Sequence, residues 1–155
     1  MDASSDLRTV YLYPGQVYTA SQPLMVSTIL GSCVAICLWD AQASIAGINH
    51  YLLPSDPVRG HSDLRYGNIA TERLIDEMVA AGATIARIVA KVVGGASIIG
   101  SSSSSRQSIG DQNVAVARQI LEKHGIPINA EQTGGQRGRK LVFHTGTGAA
   151  YSKEI

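Results

Sequence analysis

The sequence has few charged residues, and their signs are balanced. Charged side chains make up 16% of the 155 positions, whereas about 25% is usual in soluble domains. Thirteen Lys and Arg against 12 Asp and Glu give a net charge of +1. A domain that binds nucleic acid usually has a basic patch and a pI above about 9, so nucleic acid is a disfavoured partner. Hydrophobic residues reach 45%, which excludes disorder for most of the chain.

Cysteine is also scarce, since the chain holds only Cys33 and Cys37. Two cysteines exclude a disulfide scaffold and lack the paired spacing of a zinc ribbon, so no metal site is predicted. The start of the chain has no basic segment followed by an apolar stretch, and we therefore expect no signal peptide and a cytoplasmic location. The uncharged apolar run over residues 24–39 is shorter than the roughly 20 residues of a membrane-spanning helix. Membrane insertion is therefore not expected.

Hydrophobic periodicity predicts one α+β domain over residues 1–155. Two amphipathic helices are predicted, at residues 66–81 and 111–124, where apolar residues recur at helical spacing before a glycine. Short apolar runs bounded by turn residues predict strands at 7–13, 24–30, 33–39, 45–53, 85–93, 128–132 and 140–145. The expected architecture is a layered sandwich in which both helices flank a mixed, largely antiparallel sheet.

A long stretch with little capacity for packing separates two of these elements. It runs from Gly94 to Ile109 and includes the serine run Ser101 to Ser105. Such long irregular segments are uncommon in small domains and are usually mobile or functional. We predict a mobile surface loop, with a lid or a partner-contact loop as the alternative.

One cysteine and one histidine are predicted to meet across a hairpin. With a turn centred between Ala41 and Gln42, Cys33 lies directly opposite His50, with Cβ atoms about 4.5–5.5 Å apart. A thiol is mostly protonated at neutral pH, and a nearby imidazole can activate it as a nucleophile. Gly31 allows close approach of the backbone before Cys33, and free N–H groups there could stabilise an oxyanion. The residues alone leave open the alternative that the thiol is inert and the histidine belongs to the core.

Several segments resemble the CheD chemoreceptor glutamine deamidases. The paired signatures are LGSCVA at residues 30–35 and GINHYLLP at 47–54. Further matches follow in order: RYG at 65–67, KVVGGA at 91–96, IG at 109–110 with Asn113, GIP at 125–127, GG at 134–135 and GRK at 138–140. The similarity extends over nearly the whole chain.

The resemblance implies a cytoplasmic enzyme of chemotaxis that converts glutamine side chains of methyl-accepting receptors to glutamate. It also implies a fold similar to that of the cytotoxic necrotising factor deamidases. Carried over to this sequence, Cys33 is the nucleophile and His50 is the base. The hydroxyl residue of the family stands six positions before the cysteine, which here is Ser27, and we expect Ser27 to orient His50. The adjacent Thr28 is expected to face the other way because side chains alternate along a strand.

The remaining expectations concern substrate and partners. Gly31, Ser32 and Asn49 are expected to contact the substrate, and the reaction is expected to pass through a thioester on Cys33 without a metal or an organic cofactor. The alternative function is a non-catalytic chemotaxis adaptor that binds and stimulates a CheC-type phosphatase. A cysteine hydrolase that acts on another amide or ester is a third possibility.

Overall fold

The computed structural model describes residues 7–58, 62–97 and 107–155. In chain order, the elements in these ranges are β1 (Thr9–Tyr11), β2 (Val17–Ala20), β3 (Met25–Leu30), β4 (Val34–Asp40), β5 (Ile45–Asn49), α1 (Gly67–Ala80), β6 (Val89–Gly94), α2 (Ile109–Lys123), β7 (Ile128–Thr133), β8 (Arg139–His144) and β9 (Ala150–Glu154). A short 3₁₀ turn over Ile85–Arg87 precedes β6. No helix in these ranges is long and apolar enough to cross a membrane.

The strands form two sheets. The first has the order β1-β3-β8-β9, and the second has the order β2-β5-β4-β6-β7. Two of the pairings, β1 with β3 and β6 with β7, are parallel, and the other neighbouring strands pair in the antiparallel direction. The prediction of an α+β fold with a mixed, largely antiparallel arrangement is therefore confirmed.

Alternation along β4 separates two hydrophobic cores. Val34, Ile36 and Leu38 point to the side of the second sheet that α1 and α2 cover. Ala35 and Cys37 point to the other side, where the second sheet packs on the first. A strand buried on both faces has a continuous apolar sequence, as β4 does. The molecule thus has three layers: helices, the second sheet and the first sheet.

The sequence-based assignment of elements differs from the structure at several points. It lacks β2, which follows Pro14-Gly15, and the largely exposed β9. It also extends the strand before Gly94 into the 3₁₀ turn, and it begins α2 two residues late. Ser108 caps α2 by accepting a hydrogen bond from Asp111 N at 3.1 Å. The serine run Ser101 to Ser105 lies outside the described residues.

The register of the β4–β5 hairpin also differs from the prediction. Cys37 pairs with Ile48, and an isolated bridge joins Val34 to Tyr51. This register places His50 level with Ala35, two positions away from the predicted pairing with Cys33. His50 therefore lies on the same face as Ala35, which belongs to the core between the two sheets, and Cys33 packs against the same core.

Candidate active site

Cys33 lies where the chain passes from one sheet to the other. β3 ends at Leu30 in the first sheet, and β4 begins at Val34 in the second. We call the connecting residues 31–33 the nucleophile segment. Cys33 is partly exposed and packs against the core between the sheets. A substrate side chain can therefore reach this position from the surface.

Backbone hydrogen bonds from the end of β6 hold the nucleophile segment. Gly95 N donates to Cys33 O at 2.8 Å, and Ala96 N donates to Gly31 O at 2.9 Å. Gly94 has a φ of +116°, and a Cβ atom there would lie 2.2 Å from Cys33 O. A side chain at Gly94 would therefore displace the nucleophile segment, which explains why glycine occupies this position.

His50 directly follows β5, and its ring points between the two sheets. Its Nδ1 lies 2.7 Å from Oγ1 of Thr28 on β3. The same hydroxyl donates to Leu12 O at 2.7 Å. A hydroxyl has one hydrogen to donate, so Thr28 accepts from His50, and Nδ1 carries the ring proton. The lone pair of the neutral imidazole is consequently on Nε2.

The other ring nitrogen is available for proton transfer. Within the described part of the chain, Nε2 of His50 is buried and has no hydrogen-bond partner. Burial lowers the pKa of His50 to about 4, which keeps the ring neutral at physiological pH. A buried polar atom without a partner is uncommon and is often found at functional sites. The lone pair on Nε2 of His50 is thus free to accept a proton, on the side of the sheet against which Cys33 also packs.

The thiol of Cys33 is neutral in the resting protein. Burial raises its pKa, and the backbone N–H of the same residue lowers it by a smaller amount. Since the thiol and the imidazole are both neutral, the thiol proton must move during nucleophilic attack, because no thiolate–imidazolium pair exists beforehand. The chemistry that fits this arrangement is general-base-assisted attack by sulfur.

The residue that contacts His50 is Thr28, and the prediction of Ser27 is wrong. Thr28 is completely buried, whereas Ser27 is half-buried and lies on the other face of β3. The prediction took the position six residues before Cys33 from the family and placed Thr28 on the opposite face of the strand. A fixed spacing from Cys33 does not determine which face of β3 meets His50, because the chain changes sheets in the nucleophile segment and β3 has already ended at Leu30.

Asn49, the predicted substrate contact, has a structural role in the resting protein, and its contact with substrate stays a prediction. It is completely buried, and its Oδ1 accepts a hydrogen bond from Ile36 N at 2.9 Å. The side chain fills a break in the β4–β5 ladder between the Cys37 and Val34 pairings. Beyond this break, His50 N donates to Gln16 O at 3.1 Å. Asn49 therefore supports the strand end from which His50 projects.

The second cysteine has no comparable environment. Cys37 is buried between the sheets, and burial raises its pKa to about 12. A thiol with so high a pKa has almost no thiolate at neutral pH. Both cysteines are free, so Cys37 provides an internal comparison for Cys33.

A partly exposed thiol, a buried imidazole and an orienting hydroxyl at the junction of two sheets are an arrangement typical of hydrolases that use a cysteine nucleophile. Two comparisons then identify the family. Residues 52–154 match the family model described as CheD chemotactic sensory transduction. This match begins just after His50, so the full-length relatives described next are needed to include the site.

The curated relatives cover nearly the whole chain. A protein from Anaeromyxobacter dehalogenans named "Probable chemoreceptor glutamine deamidase CheD 1" is 45% identical over 94% of this chain and 84% of its own. Proteins with the corresponding CheD name from Trichlorobacter lovleyi and Sulfurimonas denitrificans are 40% and 39% identical, over 93% and 94% of this chain and 89% and 93% of their own. The chain belongs to the CheD family. The uncovered part of the chain is too short to reach Thr28, Cys33 and His50, so the alignments include all three residues.

A solved structure shares the fold at low sequence identity. The Bacillus licheniformis hypothetical protein YfiH superposes with a TM-score of 0.50 and 16% identity over 76% of this chain. This chain spans about half (49%) of that protein's length. The similarity supports the layered α+β architecture.

Proposed function

We propose that this protein is a protein-glutamine deamidase that converts glutamine side chains of methyl-accepting chemotaxis receptors to glutamate in the cytoplasm. The names of the curated relatives support the reaction and the substrate class. The observation that carries the proposal is the hydrogen bond from His50 Nδ1 to Thr28, because it leaves the basic lone pair on Nε2.

The proposed reaction has two halves. In the first, Nε2 of His50 takes the thiol proton while Sγ of Cys33 attacks the carboxamide carbon, and the carbonyl oxygen becomes an oxyanion. The imidazolium then gives this proton to the amide nitrogen, the C–N bond breaks, and ammonia leaves. A thioester on Cys33 remains. In the second half, His50 takes a proton from water as the water attacks the thioester; the C–S bond then breaks, the imidazolium gives its proton to the leaving sulfur, and glutamate and the Cys33 thiol are released. Glutamine and water are consumed, and glutamate and ammonia are formed.

The group hydrogen-bonded to Nδ1 of His50 is a threonine hydroxyl and not a carboxylate, and this difference affects His50 as a base. The hydroxyl fixes the ring orientation and the tautomer, but it adds no negative charge to stabilise an imidazolium. Together with the low pKa of His50, this arrangement favours a short-lived imidazolium that quickly returns its proton to the leaving nitrogen. Such a base suits an amide substrate, because the leaving amine must be protonated.

The test uses purified protein and a receptor cytoplasmic fragment. We expect release of ammonia and, by peptide mass spectrometry, the small mass gain of amide-to-acid conversion at particular glutamines. A receptor fragment in which those glutamines are replaced by alanine is the control and should release no ammonia. Unmodified receptor after prolonged incubation would contradict the proposal. Binding of a CheC-type phosphatase stays a prediction, and retained binding by an inactive protein would favour the adaptor function.

Removal of the Thr28 hydroxyl should impair the reaction. Thr28→Val keeps the shape of the side chain but leaves His50 Nδ1 without its acceptor. The tautomer and the orientation of the ring are then no longer fixed. We expect ammonia release to fall about 10–100-fold, and Thr28→Ser should restore most of it. Ser27→Ala is the matched control on the opposite face of β3. A slow Ser27→Ala variant beside an unaffected Thr28→Val variant would refute the assignment.

A further inference from the structure

Asn113 is a completely buried amide on the face of α2 that packs against the second sheet. Its Nδ2 donates to Ser32 O at 2.9 Å and to Leu52 O at 3.0 Å. Its backbone oxygen accepts from the hydroxyl of Tyr51 at 2.5 Å. Ser32 directly precedes Cys33, whereas Tyr51 and Leu52 directly follow His50. One side chain therefore connects the backbone on both sides of the thiol–imidazole pair.

The hydrogen bond to Ser32 O also fixes a second group. The Ser32–Cys33 peptide unit is planar and trans, so its C=O and N–H point in opposite directions. Because Nδ2 holds the carbonyl on the side of α2, the N–H of Cys33 points away from α2. This N–H interacts with the Cys33 thiol and lowers its pKa. Among the described residues, no backbone oxygen accepts from it.

An N–H in this position has a use in the proposed reaction. The oxyanion is the oxygen on the carbon that Sγ attacks, two bonds from the sulfur, and a nearby fixed N–H can stabilise the developing charge. The value of such a donor depends on its being oriented before the reaction. The amide nitrogen of asparagine carries two hydrogens and no charge, so it can donate to both carbonyls without burying an ion.

We propose that Asn113 is a positioning residue that aims the Cys33 N–H at the oxyanion and holds the nucleophile segment in register with His50. It acts through the Ser32–Cys33 peptide unit and does not touch the substrate. The inference rests on the proposed deamidation, since the oxyanion is that of a glutamine carboxamide.

The first measurement separates kcat from KM for ammonia release. Asn113→Leu has a similar size and no donors, so both carbonyls lose their partner. We expect kcat to fall about 10–100-fold, with KM changed less than about twofold. Thr71→Val is the matched control, because Thr71 is equally buried on α1 and its hydroxyl has no partner among the described residues. This control should keep the wild-type kcat.

The second measurement needs no receptor. The rate of Cys33 alkylation by iodoacetamide is followed against pH by mass spectrometry, with buried Cys37 as the unreactive thiol. We expect Asn113→Leu to shift the alkylation profile to higher pH, because the misdirected N–H no longer lowers the pKa of the thiol. Thr71→Val should leave the profile in place.

The outcomes distinguish the inference from the proposed function. A folded Asn113→Leu protein with wild-type kcat and an unchanged alkylation profile would overturn the role of Asn113. A wild-type protein that releases no ammonia would instead refute the deamidation, and the alkylation profile would still decide whether Asn113 orients the Cys33 N–H. If circular dichroism shows that the leucine variant does not fold, Asn113→Ser takes its place, because it retains at most one donor and should lower kcat in the same direction.

Discussion

Replacing Cys33 by alanine is expected to reduce ammonia release by more than about 10⁴-fold, the scale on which loss of a covalent nucleophile acts. The reason is that the proposed thioester needs a thiol at the junction of β3 and β4, where the nucleophile segment is held by Gly95 and Ala96. The measurement is ammonia release from a receptor fragment at saturating substrate. Binding of the fragment should persist, because the substitution removes only the sulfur atom.

Cys37→Ala is the matched control for this experiment. It removes the chain's other thiol from the core between the sheets, where Cys37 has a pKa of about 12. We expect lower stability, because a small cavity forms, and little change in ammonia release. Equal activity in wild-type protein and Cys33→Ala would exclude a covalent mechanism on Cys33. Loss of activity only in Cys37→Ala would show that Cys37, and not Cys33, is the nucleophile.

The sequence carries enough information for the layers of this fold. Apolar residues at helical spacing locate α1 and α2 well, because one face of each helix is buried and the other is exposed. The two-sided burial of β4 is visible as an uninterrupted apolar run. β2 and β9 are less visible for a physical reason: both lie at sheet edges, where one side of the strand lacks a partner and polar residues such as those of β9 are tolerated.

The site is only partly visible in the sequence, because its parts meet through the topology. That Cys33 and His50 lie on one side of the sheet was predictable, because the predicted and observed registers differ by two residues and each side chain therefore keeps its face. The contact of Thr28 with His50 was not, since it crosses from the first sheet to the second and depends on where β3 ends. Asn113 was visible only as part of a family motif, and its two carbonyl contacts join segments 61 and 81 residues away.

Replacing His50 by glutamine is the second change with a large expected effect. The amide of glutamine is close in size and can still bond to Thr28, but it cannot take a proton from the thiol at neutral pH. We expect ammonia release to fall about 10²–10⁴-fold, the usual contribution of a general base. Alkylation of Cys33 near neutral pH should slow as well, because the imidazole no longer assists. Unchanged ammonia release in this variant would show that another group accepts the proton.

The pH profile of the wild-type protein tests the same base without a substitution. Burial holds the pKa of His50 at about 4, below its ordinary value of 6.5, so Nε2 keeps its lone pair down to about pH 4. The acid limb of kcat/KM should therefore lie near pH 4, with activity lost as the pH falls through that value. The unfolded chain binds a proton at His50 near pH 6.5, so stability should decline as the pH falls from 6.5 towards 4. His50→Gln should remove this part of the decline, and an acid limb near pH 6.5 would contradict a buried, neutral base.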